Sequence, residues 1–260
     1  MIGATTFRIV TRLGFAARGL VYALIGYLTL RNGRTEDPGG VMEYLASTAG
    51  RLLVAGMAAG FFAYGAWRLL EAWIDSEGHG SDRKGIGVRL AGVGSGLVHL
   101  GFAVVAARLA AGGHDHGDSF KAAAATALHL PGGALLLYFA AGILLGVGIA
   151  QFRKALRPKF LRHLETRAAG QAWIGWLGRL GYAARGVIFA LSAWLFFQAA
   201  RSHSSAAAGG IDDALGSLPR PLQMGVAAGV VLFGLFSLVE ARFRRIDAPD
   251  QVSRARLKPA

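Results

Sequence analysis

Four charged side chains stand out in this sequence because each lies inside an apolar segment. Arg18 and Arg185 lie about one and a half turns inside two such segments, and Glu71 and Glu240 lie about one turn inside two others. A lone charge in hydrocarbon costs about 2.5–3.5 kcal/mol on insertion scales. Pairing would offset this cost, so the sequence predicts the ion pairs Arg18–Glu71 and Arg185–Glu240. The alternative is that each side chain reaches the headgroups by itself.

The remaining candidates for a ligand site or an ion pair are Tyr22, His99 and Arg68. A histidine deep in an apolar segment could relay protons, but the sequence favours a packing histidine that is hydrogen-bonded across helices. If the helices that carry Arg18, Ser95 and Arg185 face a common axis, these residues form a cluster at one end of the protein. Such a cluster would attract anions or lipid headgroups.

Other chemistry has little support in the residues. The chain has no cysteine, which excludes disulfides and thiolate ligands. No arrangement of nucleophile and base, phosphate-binding glycine loop or paired acidic motif is present, so the sequence predicts neither an enzyme nor a cofactor. His114 and His116 are weak candidates for a metal site, because neither ligand spacing nor supporting residues are specified.

The elements that carry these residues are six apolar segments. Composition indicates a membrane protein, because 53% of the 260 residues are hydrophobic and only 17% are charged. A helix that crosses a hydrocarbon core of about 30 Å needs roughly 17–25 apolar residues. The segments that meet this test are Leu13–Leu30, Leu52–Ile74, Leu90–Ala111, Gly133–Ala150, Leu177–Ala200 and Leu222–Val239.

The basic residues orient these segments. With six spans, 21 of the 28 lysines and arginines fall on one side and 7 on the other. The positive-inside rule places the basic side, with both termini, in the cytoplasm. The net charge of +13 is then expected to meet anionic lipid headgroups rather than nucleic acid.

An internal repeat divides the segments into three pairs. The stretch RLGFAARGLVYALIGYLTLR, residues 12–31, matches RLGYAARGVIFALSAWLFFQ, residues 179–198, at ten of twenty positions. Their partner segments, GMAAGFFAYGAWRLLEA and GVAAGVVLFGLFSLVEA, also agree. A middle copy begins RLAGVGSGLVH and has Ser95 in the place of Arg18 and Arg185, but its second segment has no defined register.

Glycines four residues apart predict close helix contacts, because they let backbones approach each other. The pairs are Gly56 with Gly60, Gly92 with Gly96, Gly142 with Gly146, and Gly225 with Gly229. The expected fold is an all-α integral membrane protein in which three two-helix repeats form a pseudo-threefold bundle. The symmetry is expected to open at the divergent middle unit.

The motifs GFAARGLVY and GYAARGVIF, together with three tandem two-helix units, resemble an uncharacterised bacterial membrane family called domain of unknown function 1206. The resemblance covers residues 12–243. It implies an architecture and a bacterial plasma membrane location, and it does not imply an activity.

The predicted organisation has five parts. They are a first unit at 1–80, a divergent second unit at 81–156, a cytoplasmic interfacial amphipathic helix at 157–176, a third unit at 177–246 and a basic tail at 247–260. Basic and aromatic residues mixed over 157–176 suggest the interfacial helix. Short helices on the outer surface are expected before the second helix of each unit.

Three classes of function are compatible with these features. The sequence favours a structural role or one of interaction with anionic lipids, a protein partner or a second copy of the chain. The runner-up is a channel or transporter with a pathway between the repeats. An enzyme comes last, and no nucleic-acid partner is expected.

Overall fold

The computed structural model describes residues 4–33, 35–75, 80–114 and 119–245, and these form an all-helical bundle. Six helices are long and apolar enough to cross a membrane. They are α1 (Ala4–Asn32), α3 (Arg51–Ile74), α4 (Arg83–Ala110), α6 (Gly133–Leu156), α8 (Ala172–Ser202) and α10 (Arg220–Phe243). The four short helices are α2 (Pro38–Thr48), α5 (Ser119–Leu128), α7 (Thr166–Ala169) and α9 (Ile211–Gly216).

The predicted segments are all present as helices, and most extend beyond the apolar window. The extensions lie mainly at the end where α1, α4 and α8 begin and α3, α6 and α10 end, which we call the basic end. Here the helices continue through polar residues because backbone hydrogen bonding does not require an apolar side chain. The expected short helices are α2, α5 and α9, and α2 also contributes Val41, Met42 and Leu45 to the core.

Each unit consists of a first helix (α1, α4 or α8) and a second helix (α3, α6 or α10). The most extensive contacts join the second helix of one unit to the first helix of the next, at α3–α4, α6–α8 and α10–α1. We call these three contacts the junctions. The third junction, α10–α1, joins the last long helix of the chain to the first. The same kind of helix contact therefore occurs three times in the bundle.

Glycine makes each junction close. At α10–α1, a Cβ atom on Gly19 would lie 2.9 Å from the carbonyl oxygen of Gly234. At α3–α4, a Cβ atom on Gly65 would lie 2.9 Å from the carbonyl oxygen of Gly96. At α6–α8 the corresponding glycines are Gly148 and Gly186, with a distance of 3.2 Å. Backbones approach this closely only where side chains are absent.

Contacts inside a unit are weaker and differ between units. Helices α1 and α3 pack together, as do α8 and α10, but within the described residues α4 and α6 make at most a marginal contact. The helix order is therefore an arc, α4–α3–α1–α10–α8–α6, with the two helices of the middle unit at its ends. The expectation that the bundle opens at the middle unit agrees with this order.

The predicted glycine contacts are only half right. Gly60, Gly92, Gly96 and Gly229 do lie against a neighbouring helix. By contrast, a Cβ atom would meet nothing within 4 Å at Gly56, Gly142, Gly146 and Gly225. Spacing identifies one face of a helix, and it does not tell whether a neighbour covers that face.

The segment at 157–176 does not form the single helix that the sequence predicted. The chain forms a 3-10 helix, Lys159–His163, then α7, and α8 has already begun at Ala172. Phe160, Leu164 and Ala168 are buried against the main core rather than directed at lipid. The backbone N–H of Glu165 donates to Phe243 and that of Arg245 donates to His163, which fixes this segment to the end of α10.

Stability is expected to depend on the glycines at the junctions and not on the glycines whose added Cβ atom would meet no neighbour. Gly234→Val should lower the free energy of unfolding by about 1–3 kcal/mol, because the new side chain must displace the backbone of α1. Gly225→Val, in the same helix, is the matched control, since its site is open. Thermal unfolding in detergent, followed by tryptophan fluorescence, measures both, and equal midpoints for the two variants would contradict the assignment.

Candidate functional site at the basic end

The junction contacts define the register of the second helix of the middle unit. Because Gly148 makes the contact that Gly65 and Gly234 make elsewhere, these three glycines are equivalent. Counting six residues onward places Lys154 at the position of Glu71 and Glu240. The carboxylate found in the first and third units is therefore replaced by a cation in the middle one.

The arginine that opens each repeat makes contacts that agree with this register to within one residue. Arg12 donates to the carbonyl oxygen of Arg242 (2.8 Å), Arg89 to that of Ala72 (2.7 Å) and Arg179 to that of Ala155 (3.0 Å). Each arginine thus satisfies a carbonyl group at the end of the preceding second helix, where a positive charge also interacts favourably with the helix dipole. The repeated Arg-Leu pair is explained by this contact.

The α10–α1 junction holds a buried ion pair. Nη2 of Arg18 lies 2.6 Å from Oε2 of Glu240, and Nη1 of Arg18 donates to the hydroxyl of Tyr64 at 3.1 Å. Arg244 binds the other carboxylate oxygen of Glu240 at 2.6 Å. The guanidinium of Arg18 also lies over the rings of Phe15, Tyr64 and Phe233. Arg18 and Glu240 are therefore both covered by other side chains.

The α3–α4 junction keeps its carboxylate and lacks the arginine. Glu71 is buried and accepts a hydrogen bond from Nη1 of Arg68 at 2.9 Å, three residues earlier on its own helix. Ser95 stands where the other first helices have arginine. A Cβ atom on Gly92 would lie 3.3 Å from Nη2 of Arg68, so glycine leaves room for this pair beside α4.

The α6–α8 junction keeps the arginine and lacks the carboxylate. Within the described part of the chain Arg185 makes no ion pair, and its Nε atom is buried without a hydrogen-bond partner. Its guanidinium carbon lies 4.4 Å from the ring centre of Phe233, 5.0 Å from that of Tyr22 and 5.3 Å from that of Phe189. Among the described contacts of this guanidinium, these three aromatic rings are the groups that lie against its charge.

Lys154 adds a second cation at the same junction. Its ammonium nitrogen lies 5.4 Å from the ring centre of Tyr182, which precedes Arg185 by about one turn on α8. Beside Lys154, the side chain of Gln151, at the position of Arg68, is buried and its Oε1 atom has no partner among the residues described. The junction therefore presents two cations and an unused polar atom, with no carboxylate.

His99 lies on α4 among the rings of Phe61, Tyr64 and Phe102. Its Nδ1 is hydrogen-bonded to the carbonyl oxygen of Ser95 at 2.7 Å, one turn earlier, so this nitrogen carries the proton. The expected bond across helices is therefore absent from its described contacts.

The structure assigns different partners from those that the sequence predicted. The expected pairs Arg18–Glu71 and Arg185–Glu240 join residues of one unit, but Glu240 is bound by Arg18 of another unit and by Arg244. The prediction failed because it compared depths along the helices, whereas the largest contacts join successive units. Tyr22 serves as a ring over which Arg185 lies, as does Phe189.

Several residues of this site were missed by sequence reasoning. Lys154, Gln151 and Tyr64 are the main ones, and Lys154 could have been found only with a register for α6. On the far side of the bundle, His114 is exposed and His116 lies outside the described residues. Within the described ranges, no three histidine, cysteine, aspartate or glutamate side chains lie close enough together to hold a metal ion.

Comparison with known proteins agrees with the three-unit architecture. The model of the family Domain of Unknown Function (DUF1206) matches three segments, 13–75, 90–157 and 180–244. A helical bundle of three two-helix repeats with six long apolar helices is thus the class that fold and sequence define, and the chain belongs to the DUF1206 family.

One relative extends over nearly the whole chain. The chain is 28% identical over 248 residues to the uncharacterized protein YxxB of Bacillus subtilis (strain 168), covering 90% of each chain. No solved structure matches. The relatives therefore support a shared architecture, and the function has to be argued from the site.

The buried pair is expected to behave as a coupled unit. Glu240→Gln should cost about 3–5 kcal/mol of stability, because it removes the buried carboxylate that Arg18 and Arg244 both bind. Arg18→Gln should cost less, since Arg244 remains on Glu240. A double-mutant cycle of thermal or denaturant unfolding should give a coupling energy of at least about 1 kcal/mol for Arg18 with Glu240. The same cycle for Arg18 with Glu71 is the control, and a larger coupling there would overturn the assignment.

Proposed function

We propose that the protein is a multi-pass protein of the bacterial plasma membrane that binds the phosphate of an anionic phospholipid at the α6–α8 junction. Arg185 and Lys154 are the residues that bind it. The observation that carries this proposal is the missing carboxylate: the α10–α1 and α3–α4 junctions each hold a glutamate bound by arginine, and the α6–α8 junction has Lys154 at the equivalent position.

Membrane insertion is supported by the helices and by their surfaces. The six helices are 21–31 residues long over their apolar parts, enough to cross a hydrocarbon core of about 30 Å. Large apolar side chains are exposed along them, including Leu135, Phe139, Trp173 and Trp176. In water such surfaces would aggregate, whereas in a bilayer they contact acyl chains and, for the tryptophans, the headgroup region.

A phosphate is the anion that best fits the two side chains. The guanidinium group of Arg185 has five N–H donors, and its planar fork matches phosphate geometry, while Lys154 adds a mobile point charge. Arg185 is half-buried, and the three rings around it stabilise its charge by cation–π contacts but supply no opposite charge. A bound phosphate would supply the missing negative charge.

Binding is favoured over passage of a solute along the axis. The guanidinium of Arg18, which a polar pathway would need, is already held by Glu240 and Tyr64 and covered by Phe15 and Phe233. Opening a pathway there would break a buried ion pair. The unpaired Arg185 lies about 9 Å further into the bundle than Arg179, counting six residues of helix rise, and Lys154 lies two residues from the end of α6.

The orientation of the protein follows from its charge. We expect the basic end to face the cytoplasm, because basic residues flanking membrane helices are retained there. A reporter enzyme that is active only in the cytoplasm should be active when fused after residue 260 and inactive when inserted at Ser204 on the far side. The opposite pattern would reverse the orientation and place the phosphate site in the outer leaflet.

Lipid retention tests the proposed site directly. After purification in mild detergent, native mass spectrometry should find an anionic phospholipid on the wild-type protein. Arg185→Gln should reduce its retention by about 10–100-fold, because a charge-assisted hydrogen bond to phosphate contributes about 1.5–3 kcal/mol. The mass of the bound species distinguishes a phospholipid from free phosphate.

Lys154→Glu is the sharper variant. It restores the carboxylate found at the other two junctions, so it should abolish lipid retention and raise the thermal midpoint by pairing with Arg185. Lys159→Glu makes the same change of net charge on an exposed residue of the basic end and is the matched control. Equal losses in these two variants would show a general electrostatic effect, and the proposed site would be wrong.

A further inference from the structure

The two helices of the middle unit leave exposed the faces that their counterparts bury. On the first helices, Val21 of α1 and Ile188 of α8 are 2% and 3% exposed, whereas the equivalent Val98 of α4 is 54% exposed. One turn toward the basic end, Ala17 and Ala184 are buried and the equivalent Gly94 is exposed. The difference follows from the absence of α6 beside α4.

The second helices repeat this difference. Gly60 of α3 and Gly229 of α10 lie against the first helix of their own unit, where a Cβ atom would come within 3.0 Å of Leu13 and 2.5 Å of Ala184 respectively. The equivalent residue of α6 is Ile143, which is 52% exposed. We call the exposed surfaces of α4 and α6, with Gly94, Val98, Ile143 and Lys154, the open face.

The sequence itself accounts for this opening. A glycine at the position of Ile143 is what allows close packing inside the first and third units, because even a single added carbon atom would touch the neighbouring helix. Isoleucine is branched at that carbon and cannot be accommodated at the same separation. The middle unit is therefore built so that its two helices stay apart.

The open face is apolar along most of its length and basic at one end. Leu97, Val98 and Val104 of α4 and Ile143 of α6 are exposed, and a Cβ atom at Gly87, Gly94 or Gly101 would meet nothing within 4 Å. At the basic end Lys154 lies on the same face of α6 as Ile143, separated by eleven residues, or about three turns. An apolar strip that ends in a cation complements a molecule with an acyl chain and a phosphate.

We propose that the open face holds one acyl chain of the anionic phospholipid whose phosphate is bound by Arg185 and Lys154, an inference that rests on the proposed function. The chain lies between α4 and α6, in the place where the other units make their internal helix contact. The phosphate approaches the cations from the side of the bundle, so that the lipid reaches its site from within the bilayer.

Filling the open face without touching the cations tests this inference. Gly94→Trp places a large ring where the chain would lie, and retention of anionic phospholipid should fall at least about tenfold, the effect of a penalty of about 1.4 kcal/mol. Gly56→Trp is the matched control, because Gly56 is equally open but lies on α3, away from this face. Its retention should equal that of the wild-type protein.

A second measurement uses the absence of cysteine from the chain. A nitroxide attached to Val98→Cys and reconstituted in vesicles of anionic phospholipid should be accessible to oxygen and inaccessible to an aqueous nickel reagent, as expected for contact with an acyl chain. Loss of oxygen access, with spin–spin broadening, would show that a second copy of the chain covers the face and would overturn the proposal.

The outcomes separate this inference from the proposed function. If Arg185→Gln removes the lipid and Gly94→Trp does not, the phosphate site stands and the acyl chain lies elsewhere. If the wild-type protein retains no anionic phospholipid, the proposed function fails and this inference fails with it. Loss in Gly94→Trp together with equal loss in Gly56→Trp would show a general effect of tryptophan and would also refute the inference.

Discussion

The cost of removing an ionised side chain from water governs the organisation of the basic end. An arginine or glutamate inside an apolar bundle needs a partner of opposite charge, further hydrogen bonds, or both. The α10–α1 junction supplies these through Arg18, Glu240, Arg244 and Tyr64 in one connected group. Because this group joins α10 to α1, the same interaction that neutralises the charges also holds the last long helix against the first.

Glycine contacts and ion pairs depend on each other in this fold. Long side chains such as Arg18 and Glu240 can meet at 2.6 Å because Gly19 and Gly234 bring their helices together nearby. A larger residue at either glycine would separate the helices and leave both charges without their partner. The three junctions share the glycine contact and differ in their charges, so packing is the constant feature and electrostatics is the variable one.

The middle unit differs from its neighbours in ways that point to one role. Lys154 replaces the glutamate and Ile143 replaces the glycine that both other units have at these positions. Each replacement alone would weaken the bundle, because it removes a partner or a contact. Together they place unpaired cations beside an open apolar surface, and binding of a lipid with its phosphate and chain would stabilise both features at once.

The sequence by itself determined the helices, the repeats and the family. Apolar runs of sufficient length, ten identities in twenty positions and the repeated Arg-Leu opening are local properties of the chain, and they are confirmed by the helices and by the three matched segments. It also identified Arg18, Arg185, Glu71 and Glu240 as charges inside apolar segments that need an explanation. These inferences required only the spacing of residues along one helix.

The tertiary structure decided which helices meet and therefore which charges pair. Depth in a helix does not specify the neighbour at that depth, and the pairs expected within one unit gave way to contacts between successive units. The role of Lys154 depended on the register of a diverged helix, which became defined only when Gly148 was found against Gly186. Partners are set by the packing of whole helices, and that packing depends on all of their contacts together.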